Sequence, residues 1–112
     1  MLKKNYEFKK VLSKGKYFSG VNIEAFIVKN KETDKNYIGL AISTKIGKAV
    51  IRNNIKRLIR ENYKNIEDSI KYGYSMVFLW KKNITTENAN YKNIEKDIIN
   101  IFDKADMIQN KE

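Results

Sequence analysis

The stretch from Lys45 to Glu61 constrains this chain more than any other. It holds six basic residues and one acid. Ile51, Ile55, Leu58, Ile59 and Tyr63 recur at spacings of three and four, and residues so spaced stack on one side of a helix. Arg52, Lys56, Arg60 and Lys64 recur strictly every four residues. The segment is therefore predicted as a helix over about Ala49 to Tyr63, with an apolar stripe for a core and a cationic stripe for something outside. Like charges four apart weaken an isolated helix, and a densely negative partner would offset that cost. On charge alone, a merely solvated face is an equally good reading. The residue types favour a partner: Arg presents a planar fork of donors that matches phosphate, and Asn can bond a base edge or a 2′-hydroxyl. Gly47, just before the helix, is expected to use positive φ or to admit a close backbone approach. The unpaired amides of the helix start would add an anion site.

The charge balance points the same way. The chain has 112 residues and a formal net charge of +10, which suits nucleic acid or an acidic membrane surface. The excess is uneven. Residues 45–64 carry seven basic residues against one acid, whereas residues 83–112 carry four lysines against six acids. The partner is thus expected on the first two thirds of the chain. The length predicts a single domain over residues 1–112. A hydrophobic share of 42% supports folding rather than disorder. There is no Cys and no His, which excludes disulfides and thiolate metal sites and removes the usual general base near neutral pH. Lys3, Lys4, Lys9, Lys10, Lys14 and Lys16 leave no apolar stretch of signal-peptide type. The run Met76–Trp80 is far too short to span a bilayer. These features together predict a cytoplasmic protein.

Along the chain, residues 4–14 read as a short helix bearing Tyr6, Phe8, Val11 and Leu12, with Gly15 as its stop. Residues 21–29 alternate. Val21, Ile23, Ala25 and Ile27 face one way; Asn22, Glu24, Phe26 and Val28 face the other. Tyr37–Ser43 is a second strand, and the short polar connection predicts an antiparallel pair with the first. After the basic helix, Gly73 opens a strand over Tyr74–Trp80 whose continuous apolar run predicts burial on both faces. The last helix spans Glu87–Ala105, with Thr86 as N-cap and a core stripe of Tyr91, Ile94, Ile98, Ile101, Phe102 and Ala105. The order helix, strand, strand, helix, strand, helix makes an α+β two-layer sandwich. An extra short strand is allowed near Phe18–Gly20.

These residues resemble the bacterial ribonuclease P protein family. That family carries Gly-x-Ala-Val-x-Arg-Asn-x-x-Lys-Arg-x-x-Arg-Glu after a strand, matched here by Gly47, Ala49, Val50, Arg52, Asn53, Lys56, Arg57, Arg60 and Glu61. Its opening helix carries Phe-x-x-Val-x-x-x-Gly, matched by Phe8, Val11 and Gly15. The likeness extends over nearly the whole chain. There are departures. Asn54 stands where the family's central box usually has Arg, Thr44 stands where Lys is common, and Leu12 stands where an aromatic is frequent.

The resemblance implies a ribosomal protein S5 domain 2-like fold and the protein subunit of the enzyme that removes the 5′ leader from precursor tRNA. In that enzyme the catalytic subunit is RNA, and Mg²⁺ is held mainly by that RNA. The partners implied are the ribonuclease P RNA and precursor tRNA, with no membrane and no obligate protein partner. No catalytic residue is expected on the protein. Contact with the catalytic RNA maps onto Lys45, Lys48, Arg52, Asn53, Lys56, Arg57 and Arg60. A cleft for the single-stranded leader maps onto Phe8, Leu12 and Phe26, with Tyr17 and Phe18 at its margin. The protein is expected to raise substrate affinity and to lower the Mg²⁺ requirement of its RNA partner.

Rival readings meet specific obstacles. A helix-turn-helix regulator needs a helix before the turn, where Tyr37–Ser43 reads as a strand. A membrane-surface protein needs apolar residues free to insert, and here they are needed for the core. A self-sufficient two-metal nuclease needs several acids held together. A general structured-RNA binder of ribosomal type, without a role in cleavage, is the nearest alternative in physical terms.

Overall fold

The computed structural model describes residues 2 and 4–109; Lys3 of the N-terminal lysine series lies outside them. The elements in chain order are α1 (Asn5–Lys14), β1 (Lys16–Ser19), β2 (Ile23–Lys29), β3 (Tyr37–Leu40), α2 (Ala49–Ile66), β4 (Tyr74–Trp80) and α3 (Tyr91–Lys104). Short 3-10 turns over Thr44–Ile46, Glu67–Ser69 and Thr86–Asn88 precede or follow the helices. The α+β sandwich of helices on a sheet is the architecture found. The extra strand allowed near Phe18–Gly20 is β1, which pairs antiparallel with β2 in the register Tyr17↔Phe26.

The sheet order is β1-β2-β4-β3, and this corrects the expected pairing of β2 with β3. Strand β4 lies between them, antiparallel to β2 and parallel to β3. Residues 30–36 easily cross the two strand spacings, about 10 Å, that separate β2 from β3. Strand β4 takes the central place because its side chains need cover on both faces. Ser75, Met76, Val77, Phe78 and Trp80 are all buried. β3 and β4 are therefore joined by a crossover through α2, the connection a parallel pair requires.

Period two along the strands divides the side chains between two faces. Ile23, Ala25 and Ile27 of β2, Ile38 and Leu40 of β3, and Met76, Phe78 and Trp80 of β4 pack against α2 and α3. Phe102 meets Phe78 edge-on at 6.1 Å between centroids. On the opposite face α1 covers a smaller cluster of Leu2, Val11 and Val77, flanked by Phe8, Phe26, Val28, Tyr37, Ala41 and Leu79. The amide of Leu2 donates to the Ile38 carbonyl (3.1 Å). At the other end, a Cβ on Gly15 would come within 3.2 Å of the Phe26 Cβ. α1 thus runs across the sheet from β3 to β2.

Two helix ends differ from expectation. Thr85, not Thr86, caps a 3-10 turn by accepting from the Glu87 amide. Asn90 then caps α3, accepting from the Asn93 amide at 2.9 Å. Helix α2 continues one turn beyond Tyr63 to Ile66. One buried acid was not anticipated. Asp97 of α3 accepts from the amides of Val21, Asn22 and Ile23 at 3.0, 2.7 and 3.1 Å. Its two oxygens replace the solvent that the buried Asn22 and Ile23 amides lose and also hold the part-buried Val21 amide, which pins the β1–β2 turn to α3.

Candidate nucleic-acid interface

Helix α2 divides as its sequence requires. Ile55, Leu58, Ile59 and Tyr63 are buried, and burial raises the pKa of the Tyr63 hydroxyl. Ile51 is half-buried. The four-residue cationic spacing does not give a straight stripe, because each step overshoots a full turn by about 40°. Arg52 and Lys56 are accordingly half-buried at the border of the core, while Arg60 and Lys64 stand exposed further round. Asn53 and Arg57 are exposed on the same outward side. Lys45 and Lys48 are exposed in the turn that leads into the helix. The seven residues expected to contact the catalytic RNA therefore share one continuous outer surface.

Their states differ. The Arg52 Nε donates to the Gly47 carbonyl at 3.1 Å, tying the helix to its entry turn. Arg57 is forked between Glu61 (2.9 Å) and Asn54 (2.7 Å). Asn54, which departs from the family's Arg, thus accepts a hydrogen bond and holds a neighbouring guanidinium in place. The expectation for Gly47 is corrected. Its φ of 166° is extended backbone, open to any residue, so φ is not the reason for glycine. The nearest atoms a Cβ there would meet belong to the Ile51 side chain, at 3.3 Å. The first turn of α2 contains no acid, and its N-cap Lys48 makes no capping bond through its side chain. Both features leave the positive end of the helix open to an anion.

The second candidate surface is the sheet face under α1. Phe8 and Phe26 belong to the small cluster there, and both remain half-exposed. Leu12 lies one turn beyond Phe8 on α1 and is 37% exposed. Phe8 rests directly on β3, since a Cβ at Gly39 would lie 2.6 Å from its Cε1. Gly39 thus makes room for Phe8 on this face, and the sequence signals it only as a glycine inside a strand. Tyr17 stands beside Phe26, with ring centroids 5.3 Å apart. Its hydroxyl donates to Glu24 Oε2 at 2.6 Å, and that bond raises the Tyr17 pKa. Tyr17 therefore stands at the margin of the face that holds Phe8 and Phe26. Phe18 does not: it points to the other face and packs against the main core, because neighbouring strand residues alternate. Ala41, just past the β3 end of this face, lies only four residues before Lys45 in the turn that also carries Lys48, so the two surfaces are joined through a short stretch of chain.

A basic helix beside a half-open aromatic sheet face defines a single-domain-sized α+β RNA-binding protein. A family model described as Ribonuclease P matches residues 1–106. The ribonuclease P protein component of Clostridioides difficile is 39% identical over 107 residues, covering 95% of this chain and 91% of that protein. The ribonuclease P protein of Staphylococcus aureus superposes with a TM-score of 0.84 at 27% identity, covering 96% of each chain. That of Thermotoga maritima, at 23% identity and a TM-score of 0.81 over 92% of this chain and 94% of that one, shares the fold. The chain belongs to the ribonuclease P protein family. It is a protein subunit of ribonuclease P, a partner of the ribonuclease P RNA. Among the described residues, no helix is long and apolar enough to cross a membrane.

Proposed function

We propose that this protein joins the catalytic RNA to its substrate, using α2 for the first and the face under α1 for the second, with residues 1–112 acting as one domain. Lys45, Lys48, Arg52, Asn53, Lys56, Arg57 and Arg60 bind the ribonuclease P RNA. Phe8, Leu12 and Phe26 hold the 5′ leader of precursor tRNA in the cytoplasm. The observation that carries this reading is the adjacency of a cationic helix and a half-covered aromatic sheet face in a member of this family. Bases stack on aromatic faces for about 1–3 kcal/mol each, with little sequence preference. That tolerance suits leaders of differing sequence. Phosphate contacts from α2 lower the repulsion between two anionic RNAs, so the assembly needs less Mg²⁺ to form.

Hydrolysis itself is assigned to the RNA, with Mg²⁺ held mainly there. Among the described residues, no three His, Cys, Asp or Glu side chains sit together as metal ligands. The protein's part is to bind and orient. The test is cleavage of precursor tRNA at low Mg²⁺ by the protein alone, by ribonuclease P RNA alone, and by both. Activity is expected only in the mixture; cleavage by the protein alone, or no stimulation of the RNA, would overturn the reading. For the leader surface, Phe8→Leu keeps most of the packing on Gly39 and removes the aromatic face. It should weaken binding of precursor tRNA more than of mature tRNA.

A further inference from the structure

Helix α1 crosses the second sheet face without covering it, and the face is open on both of its flanks. Phe8 and Leu12 border one opening. Beyond the other flank lies a groove of about 700 Å³, between α1 and the β2–β3 connection. Its floor is made by Val28, Tyr37 and Ser75, near the ends of three strands. Its α1 wall includes Tyr6 and Lys10, on the helix side away from Leu12.

We infer that this groove is a second site for unpaired RNA, occupied by leader nucleotides upstream of those held at Phe8 and Phe26; the inference rests on the leader reading above. Two features point to RNA. The first is an available aromatic surface. Tyr6 is 67% exposed, and the Lys4 ammonium stands 5.9 Å from its centroid. A base stacking there would meet both a π face and a cation. The second is charge. The groove is lined by Lys4, Lys10, Lys29 and Lys31 against Glu7 and Glu32, and Glu7 already accepts from the Lys4 amide at 3.3 Å. Lys9 and Lys10 are exposed on α1 itself, so a strand passing from one opening to the other crosses a cationic ridge. The far wall is shaped in advance: the Asn30 side chain donates to Ser75 Oγ (3.2 Å) and accepts from the Glu32 amide (3.1 Å).

The test uses the reconstituted holoenzyme and precursor tRNAs with leaders of about 4 and about 12 nucleotides, which bracket common single-strand site sizes. Tyr6→Ala combined with Lys10→Ala alters exposed side chains only. The double variant should bind the long-leader precursor about tenfold more weakly and the short-leader precursor as well as the parent does. Unchanged binding of the long leader overturns the inference, and so does an equal loss with both lengths. Phe8→Leu tests the reading underneath. If it fails to weaken either precursor relative to mature tRNA, the leader reading falls and takes the groove with it. If it weakens both while the double variant has no effect, only the groove inference falls.

Discussion

The two faces of the sheet are built from alternate residues of the same strands, yet they have opposite fates. The face toward α2 and α3 is sealed: Ile23, Met76, Phe78, Ile94, Ile101 and Phe102 have essentially no exposed surface. The face toward α1 buries Leu2, Val11 and Val77 and leaves six apolar neighbours half-open. Two helices of 18 and 14 residues seal the first, whereas one helix of 10 residues crosses the second. A sealed face maximises the apolar area removed from water. A half-sealed face gives up some of that stabilisation and keeps aromatic surface available for a ligand. Stability is thus concentrated on one side of the sheet, and the other is the side for which recognition is proposed.

Breaking the sealed side should have the largest effect. Phe78→Ala removes a fully buried ring and should cost about 3–5 kcal/mol, read as a lower urea midpoint. Asp97→Ala should follow at about 3 kcal/mol, because three backbone amides lose their acceptor at once. A cost below about 1 kcal/mol would mean that water replaces the carboxylate. On the open side, Phe26→Leu should change stability by less than about 1.5 kcal/mol. It should still weaken precursor tRNA binding by about 1 kcal/mol or more through lost stacking. A stability loss matching that of Phe78→Ala would erase the contrast between the faces.

The smallest effects are expected on the outer side of α2. Arg60→Ala removes an exposed cation and should lower the slope of log affinity for the ribonuclease P RNA against log salt by about 0.7–0.9. Arg57→Ala should lower it less, because Glu61 already offsets part of that charge. Equal slopes would mean that the Arg57–Glu61 pair opens when RNA binds.

Much of this protein was legible because its signals are local. The apolar and cationic spacing of α2, the period-two alternation of β2 and the continuous apolar run of β4 each depend only on near neighbours in the chain. That the candidate residues on α2 share a surface was legible for the same reason, since a helix fixes which of its residues lie together. The cleft residues Phe8 and Phe26 were not separable from ordinary core by pattern. Phe8 lies at an apolar helix position, Phe26 falls on the strand face opposite Ile23 and Ile27, which argues only slightly against core packing, and the likeness to a family supplied the rest.

The sequence by itself determined where the three helices and the strands β2 and β4 lie, most of their core residues, and that most cations of α2 would face outward. Periodicity and charge suffice for that, because both act within a few residues. They did not foresee that Val21 is exposed and Asn22 buried or that β3 ends at Leu40 rather than Ser43. Only the tertiary structure decided that β4 separates β2 from β3, that Asp97 holds a turn some seventy-five residues away, and that Phe18 turns inward while Tyr17 meets Phe26. It also decided that α1 leaves openings on both flanks. These depend on which strand has most apolar surface to cover on both sides and on how much of a face one short helix can reach, and both are set by packing between segments distant in the chain.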